Sequence, residues 1–137
     1  MSFVIDVSVV LAWLLPDEQS DAAELLIGRI AENRACAPSL LLLEVGNALQ
    51  QAERRARIPS ATRMELLDAF TTLPIMLEPI AADAMLRASV LAQRHMLSLY
   101  DACYLELALT RGCPLATFDR QLVAAADKEE VALLGAR

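Results

Sequence analysis

Histidine is almost missing from this 137-residue chain, and the single His95 excludes hydrolytic schemes that need two imidazoles as acid and base. It also weakens any Ser/His or Cys/His nucleophile pair, and it reads as a surface or helix-end residue. Cysteine is scarce: Cys36, Cys103 and Cys113 are odd in number, lie among apolar neighbours and show no CxxC spacing. Neither a disulfide framework nor a zinc site is indicated, and the three read as buried thiols. Aromatic residues make up 4%, too sparse for an extended base-stacking platform. The longest apolar run, Val9 to Leu15, is too short to span a bilayer. There is no repeat, low-complexity tract or Gly/Ser-rich linker, so residues 1–137 read as one domain. Met1-Ser2-Phe3 followed by Asp6 lacks the basic and apolar regions of a signal peptide, and the expected location is the cytoplasm.

Hydrophobic residues reach 56%, enough for a substantial core and too many for disorder. Twelve basic against 18 acidic residues leave a net charge of -6, which repels nucleic acid in bulk. An anionic partner therefore needs a local patch or a bound cation.

Phe3-Val4-Ile5 predicts a buried strand that delivers Asp6 at its C-terminal end. Helices are predicted over about residues 8–15, 21–34, 39–57, 60–72, 82–95, 100–111 and 119–127, bounded by Pro16, Pro59, Pro74 and Gly112. Short apolar stretches at 35–38, 75–77 and 115–117 predict further strands, and the run 131–134 completes the alternation. Such alternation argues for an α/β fold with helices on both faces of a mainly parallel sheet. Ligands in such folds bind beyond the carboxyl ends of the strands, so polar residues matter most there.

Four acids fall at or near that edge. Asp6 follows the first strand; it also fits a helix N-cap, and Ser8 supports either role. Glu44 interrupts an apolar stretch inside a helix, where an unpaired carboxylate is costly, so it needs a partner or a cation. Asn47 lies one turn on and would orient it or bind a ligand water. Asp101 closes a Ser98-x-x-Asp101 spacing that also suits a capping box. Asp119 occupies the turn after Thr117 and is again a plausible N-cap. Singly none is specific, but a parallel sheet can bring all four to one edge, where they would repel unless protonated or neutralised by a divalent ion.

The ordered set Asp6-x-Ser8, Glu44-x-x-Asn47, Tyr100-Asp101-Ala102-x-Tyr104-Leu105 and Ala116-Thr117-x-Asp119 resembles the PIN-domain ribonucleases. The resemblance is greatest to the VapC-type toxins of bacterial and archaeal toxin–antitoxin pairs, and it covers the whole chain. It implies a three-layer fold around a parallel sheet of about five strands, and Mg²⁺ or Mn²⁺ held by the acids. Asp6 and Asp101 would be the principal ligands, Glu44 and Asp119 would complete the site, and Ser8, Thr117 and Asn47 would support it. It further implies an RNA substrate, a cognate antitoxin and a homodimer, with no membrane. Metal-assisted hydrolysis suits a chain so poor in histidine, because an ion on carboxylates supplies hydroxide and offsets phosphate charge.

Arg54, Arg55, Arg57 and Arg63 read either as a solvated helix end or as a phosphate-guiding patch. Trp13 belongs either to the core or to a groove for a partner helix. Competing functions are a stand-alone RNA-processing nuclease and a catalytically silent binding module. A HAD-like phosphatase would need an acid at Ser8, and a receiver domain would need a lysine near the last strands, whereas Lys128 is the only lysine.

Overall fold

Phe3, Val4 and Ile5 are fully buried in the computed structural model, which describes residues 1–135. A β-branched and aromatic run buried on both faces belongs at the centre of a parallel sheet, and that is where β1 (Ser2–Ile5) lies. Its neighbours are β2 (Arg34–Pro38), paired through Val4 and Cys36, and β4 (Leu115–Ala116), paired through Ile5 and Ala116. β3 (Ile75–Glu78) adds beyond β2, so the all-parallel order is β3-β2-β1-β4. The strand order reverses between β1 and β4, and a crevice opens outside the carboxyl ends at such a switch point.

Helices α1 (Val7–Leu14), α2 (Asp21–Gly28), α3 (Leu40–Arg54) and α4 (Ser60–Thr71) pack together, as do α5 (Ala82–His95), α6 (Leu99–Arg111) and α7 (Arg120–Lys128). Both groups flank the sheet. Several boundaries have a local cause: Ser20 caps α2, Ser98 caps α6, and Gly112 ends α6 in the left-handed conformation at φ 61°. Buried Glu106 accepts hydrogen bonds from Arg87 at 3.0 Å and Thr110 at 2.5 Å, tying α5 to α6. Among the described residues no helix is long and apolar enough to cross a membrane.

The sequence-based expectation needs four corrections. The sheet has four strands, not five, because the run 131–134 contributes only a parallel bridge from Leu133 to Leu115. β4 is two residues long, since Thr117 leaves the ladder to bond the site, and too little strand remains to pair with. The helix expected over 21–34 stops at Gly28 and tightens into a 3₁₀ turn, Arg29–Ala31. There Asn33 Nδ2 caps the Arg29 carbonyl at 3.1 Å, and Arg34 joins β2 opposite Ser2. Finally, His95 does end a helix, but its side chain is 5% exposed and sits 2.6 Å from Glu129. Cys36 and Cys103 are buried and Cys113 half-buried; burial pushes the Cys36 thiol up to about 11, so it stays protonated at neutral pH.

Candidate active site

At the β1–β4 crevice Asp6 caps α1 and is 2% exposed. Its Oδ1 accepts from Ser8 Oγ at 2.6 Å and from the Val9 amide at 3.3 Å, while Oδ2 accepts from Thr117 Oγ1 at 2.5 Å. A hydroxyl has one proton, and both hydroxyls give theirs to Asp6. Their lone pairs then take the backbone of the loop after β4: Phe118 N donates to Ser8 Oγ at 2.8 Å, and Asp119 N to Thr117 Oγ1 at 3.0 Å. One pair of hydroxyls thus orients the carboxylate and pins the loop that carries Asp119.

Burial still outweighs these bonds. It raises Asp6 from 3.8 to about 6 against the lowering by Ser8, Thr117 and Val9, with a further rise from the Asp101 charge. Asp101 sits in the first turn of α6, where its amide donates to Ser98 Oγ at 3.1 Å. Burial and then the Asp119 charge raise its carboxyl, more than the Ser98 hydroxyl lowers it. Glu44, half-buried on the second turn of α3, is raised by burial and the Asp101 charge and lowered by the Tyr104 hydroxyl, which donates to Oε1 at 2.6 Å. Asp119 caps α7 by accepting from Leu122 N at 2.9 Å. Asp101 is therefore the common electrostatic neighbour of Asp6, Glu44 and Asp119.

Among the described residues no three His, Cys, Asp or Glu side chains are close enough to hold a metal ion by themselves. The donors are all oxygen, the chemistry of a hard cation. Mg²⁺ commonly keeps several waters and binds through one or two carboxylates. A loose ring of acids around Asp101 fits a hydrated ion better than a dehydrated one.

Asn47 is exposed one turn after Glu44 on α3, and the hydrogen bond on Glu44 comes from Tyr104. Arg57 is tied to Asp17 at 2.7 Å and Glu18 at 2.8 Å, and Arg63 to Glu53. Arg54 and Arg55 are exposed, and Arg54 stands about 15 Å beyond Glu44 along α3 at 1.5 Å per residue. Trp13 is half-buried against the core. Tyr104 stands in the Tyr100-Asp101-Ala102-x-Tyr104-Leu105 motif, which assigns it no role at the site, yet it bonds Glu44. Its signal was its place one turn after Asp101 on the same helical face. Burial first, then Glu44, Asp6 and Asp101, push its phenol far above the usual range.

The model of the PIN domain family matches residues 3–128 of this chain. The chain belongs to the PIN-domain family. Within it, the ribonuclease VapC3 of Pyrobaculum aerophilum is 34% identical over 126 residues, covering 89% of this PIN domain and 92% of that protein. The ribonuclease VapC9 of Mycobacterium tuberculosis is 33% identical over 119 residues, 87% of each chain. The fold also superposes on the crystal structure of VapBC2 from Rickettsia felis bound to a DNA fragment from their promoter. That match has a TM-score of 0.72 and 11% identity over 98% of both chains, a likeness of fold alone. These matches place the PIN domain on the VapC branch and set aside the HAD-like and receiver readings.

Proposed function

We propose that this PIN domain is a metal-dependent endoribonuclease toxin of the VapC kind. It hydrolyses RNA phosphodiester bonds at the edge formed by Asp6, Glu44, Asp101 and Asp119, and a cognate antitoxin holds it inactive in the cytoplasm. The observation that supports this most is Asp6: a buried carboxylate held by two hydroxyls, beside an Asp101 whose charge bears on Asp6 and Glu44 and which itself feels Asp119. Keeping those charges together opposes folding, which makes sense for a site that works with a cation.

Asp6 and Asp101 would hold Mg²⁺ or Mn²⁺, with Glu44 and Asp119 taking its water ligands. When bound, the ion supplies hydroxide at neutral pH and offsets charge on the scissile phosphate. The chain does the rest. Ser8 and Thr117 fix Asp6 through Oδ1 and Oδ2 and keep the Asp119 loop in place. By neutralising the acids, the cation would let an acidic protein accept a polyanion.

Induced expression should arrest growth, and Asp101→Asn should not. Co-expression of a small protein encoded beside the toxin should restore growth. Normal growth on expression of folded wild-type protein would instead favour a processing enzyme or a silent module.

Among the described residues, Arg54 and Arg55 are the members of the basic segment outside the ion pairs, and we propose that they guide the RNA backbone. Replacing both with alanine should weaken RNA binding and reduce the log–log salt slope by about 1.4, at about 0.7 per phosphate contact on a single strand. Fluorescence anisotropy across a salt series measures it. An unchanged slope would return both to the role of a solvated helix end.

A further inference from the structure

Tyr104 bonds a carboxylate sixty positions away in sequence, and its side chain is fully buried. Phenylalanine would fill the same volume with the same apolar ring, so packing accounts for everything about this residue except its hydroxyl. A buried phenol needs an acceptor. The acceptor here belongs to a different helix and lies at the acidic edge, on the half-buried Glu44.

Glu44 has reason to need such a partner. Its side chain turns about three bonds, and it is only half-buried, with Leu43 and Asn47 beside it exposed. Among the described residues, the Tyr104 hydroxyl is what fixes the Glu44 carboxylate. The hydroxyl engages Oε1 and leaves Oε2 without a hydrogen bond among the described residues. Groups that orient a ligating carboxylate set its readiness for a metal in advance.

We infer that Tyr104 is a positioning residue: by holding Glu44 Oε1 it sets where the other carboxylate oxygen meets a divalent ion or its bound water. The inference rests on the four-acid reading of the site and adds to it a buried support on α6, carried by the same helix as Asp101. Tyr104 itself touches neither the ion nor the RNA.

The test is a titration of the purified, RNA-free full chain with Mn²⁺ alone, followed by electron paramagnetic resonance of the free ion. Tyr104→Phe should melt close to wild type in EDTA yet bind Mn²⁺ about 10- to 100-fold more weakly, the usual loss when a supporting partner of a ligand is removed. On a Glu44→Gln background the same substitution should change Mn²⁺ affinity little. Glu44→Asp keeps the charge but draws it one methylene out of reach of the phenol, so it should lose affinity as Tyr104→Phe does. That variant also decides the matter if Tyr104→Phe does not fold.

Wild-type affinity in Tyr104→Phe or in Glu44→Asp overturns the inference and leaves the four-acid site standing. An equal loss with and without Glu44 also overturns it, because Tyr104 would then act through another group. Wild-type protein that binds no Mn²⁺ removes the site reading itself, and the role of Tyr104 with it.

Discussion

Asp6→Asn is expected to abolish RNA cleavage while raising the melting temperature of the metal-free protein. The two effects have one cause. Asp6 is 2% exposed, and its carboxyl rises from 3.8 to about 6 on folding. A raised acid contributes its full stability below the unfolded value and loses it as pH climbs through the folded one, so at pH 7.5 the whole penalty applies. The gap between 3.8 and about 6 corresponds to about 3 kcal/mol. Asparagine removes that penalty but presents an amide N–H₂ to one of its hydroxyl donors, at a cost of about 1 kcal/mol. A net gain of about 2 kcal/mol should lift the midpoint by roughly 6 °C in a domain of this size. Asparagine caps a helix as well as aspartate, so a purely capping Asp6 would show no change. Thermal melts in EDTA at pH 7.5, beside a cleavage assay, distinguish the two.

The second large effect is the response to divalent ions. An ion that binds only the folded acids stabilises by about 2.7 kcal/mol at a hundred times its dissociation constant. This gain should shrink as pH falls through about 6, because protons then compete for Asp6. Cleavage should fall over the same range. Asp101→Asn should lower the ion-induced gain most among single replacements of Asp101, Glu44 and Asp119, since the Asp101 charge bears on Asp6 and Glu44 and the Asp119 charge bears on Asp101. Melts from pH 5 to pH 8, with EDTA and with Mg²⁺, read the effect directly. A gain independent of pH would detach Asp6 from the ion site.

Much of this arrangement was legible in the sequence, for reasons tied to particular residues. Phe3-Val4-Ile5 could be buried on both faces only at the centre of a sheet, and Asp6 then had to emerge at its carboxyl edge. Ser8 and Thr117 were indicated as supporting residues only by the resemblance to the PIN-domain ribonucleases, and both donate to Asp6. The missing fifth strand was not legible, because the run 131–134 is apolar enough for a strand, and the shortness of β4 is set by a tertiary bond from Thr117. The ion pairs of Arg57 and Arg63 were hidden for the same reason: their partners Asp17 and Glu18 come from another loop, and the Glu53 contact depends on how the turn after α3 folds back. Tyr104 escaped because a tyrosine in an apolar helix reads as core until the carboxylate facing it is known.

The most direct test of the four-acid account is cleavage of a single-stranded RNA oligonucleotide by protein stripped with EDTA and then supplied with Mg²⁺ or Mn²⁺. Wild type should be silent in EDTA and recover on addition of either ion, and Asp101→Asn, purified identically and shown to be folded, should remain silent throughout. Cleavage that persists in EDTA, or that Asp101→Asn retains at the wild-type rate, would contradict a metal-dependent nuclease site at this edge of the sheet.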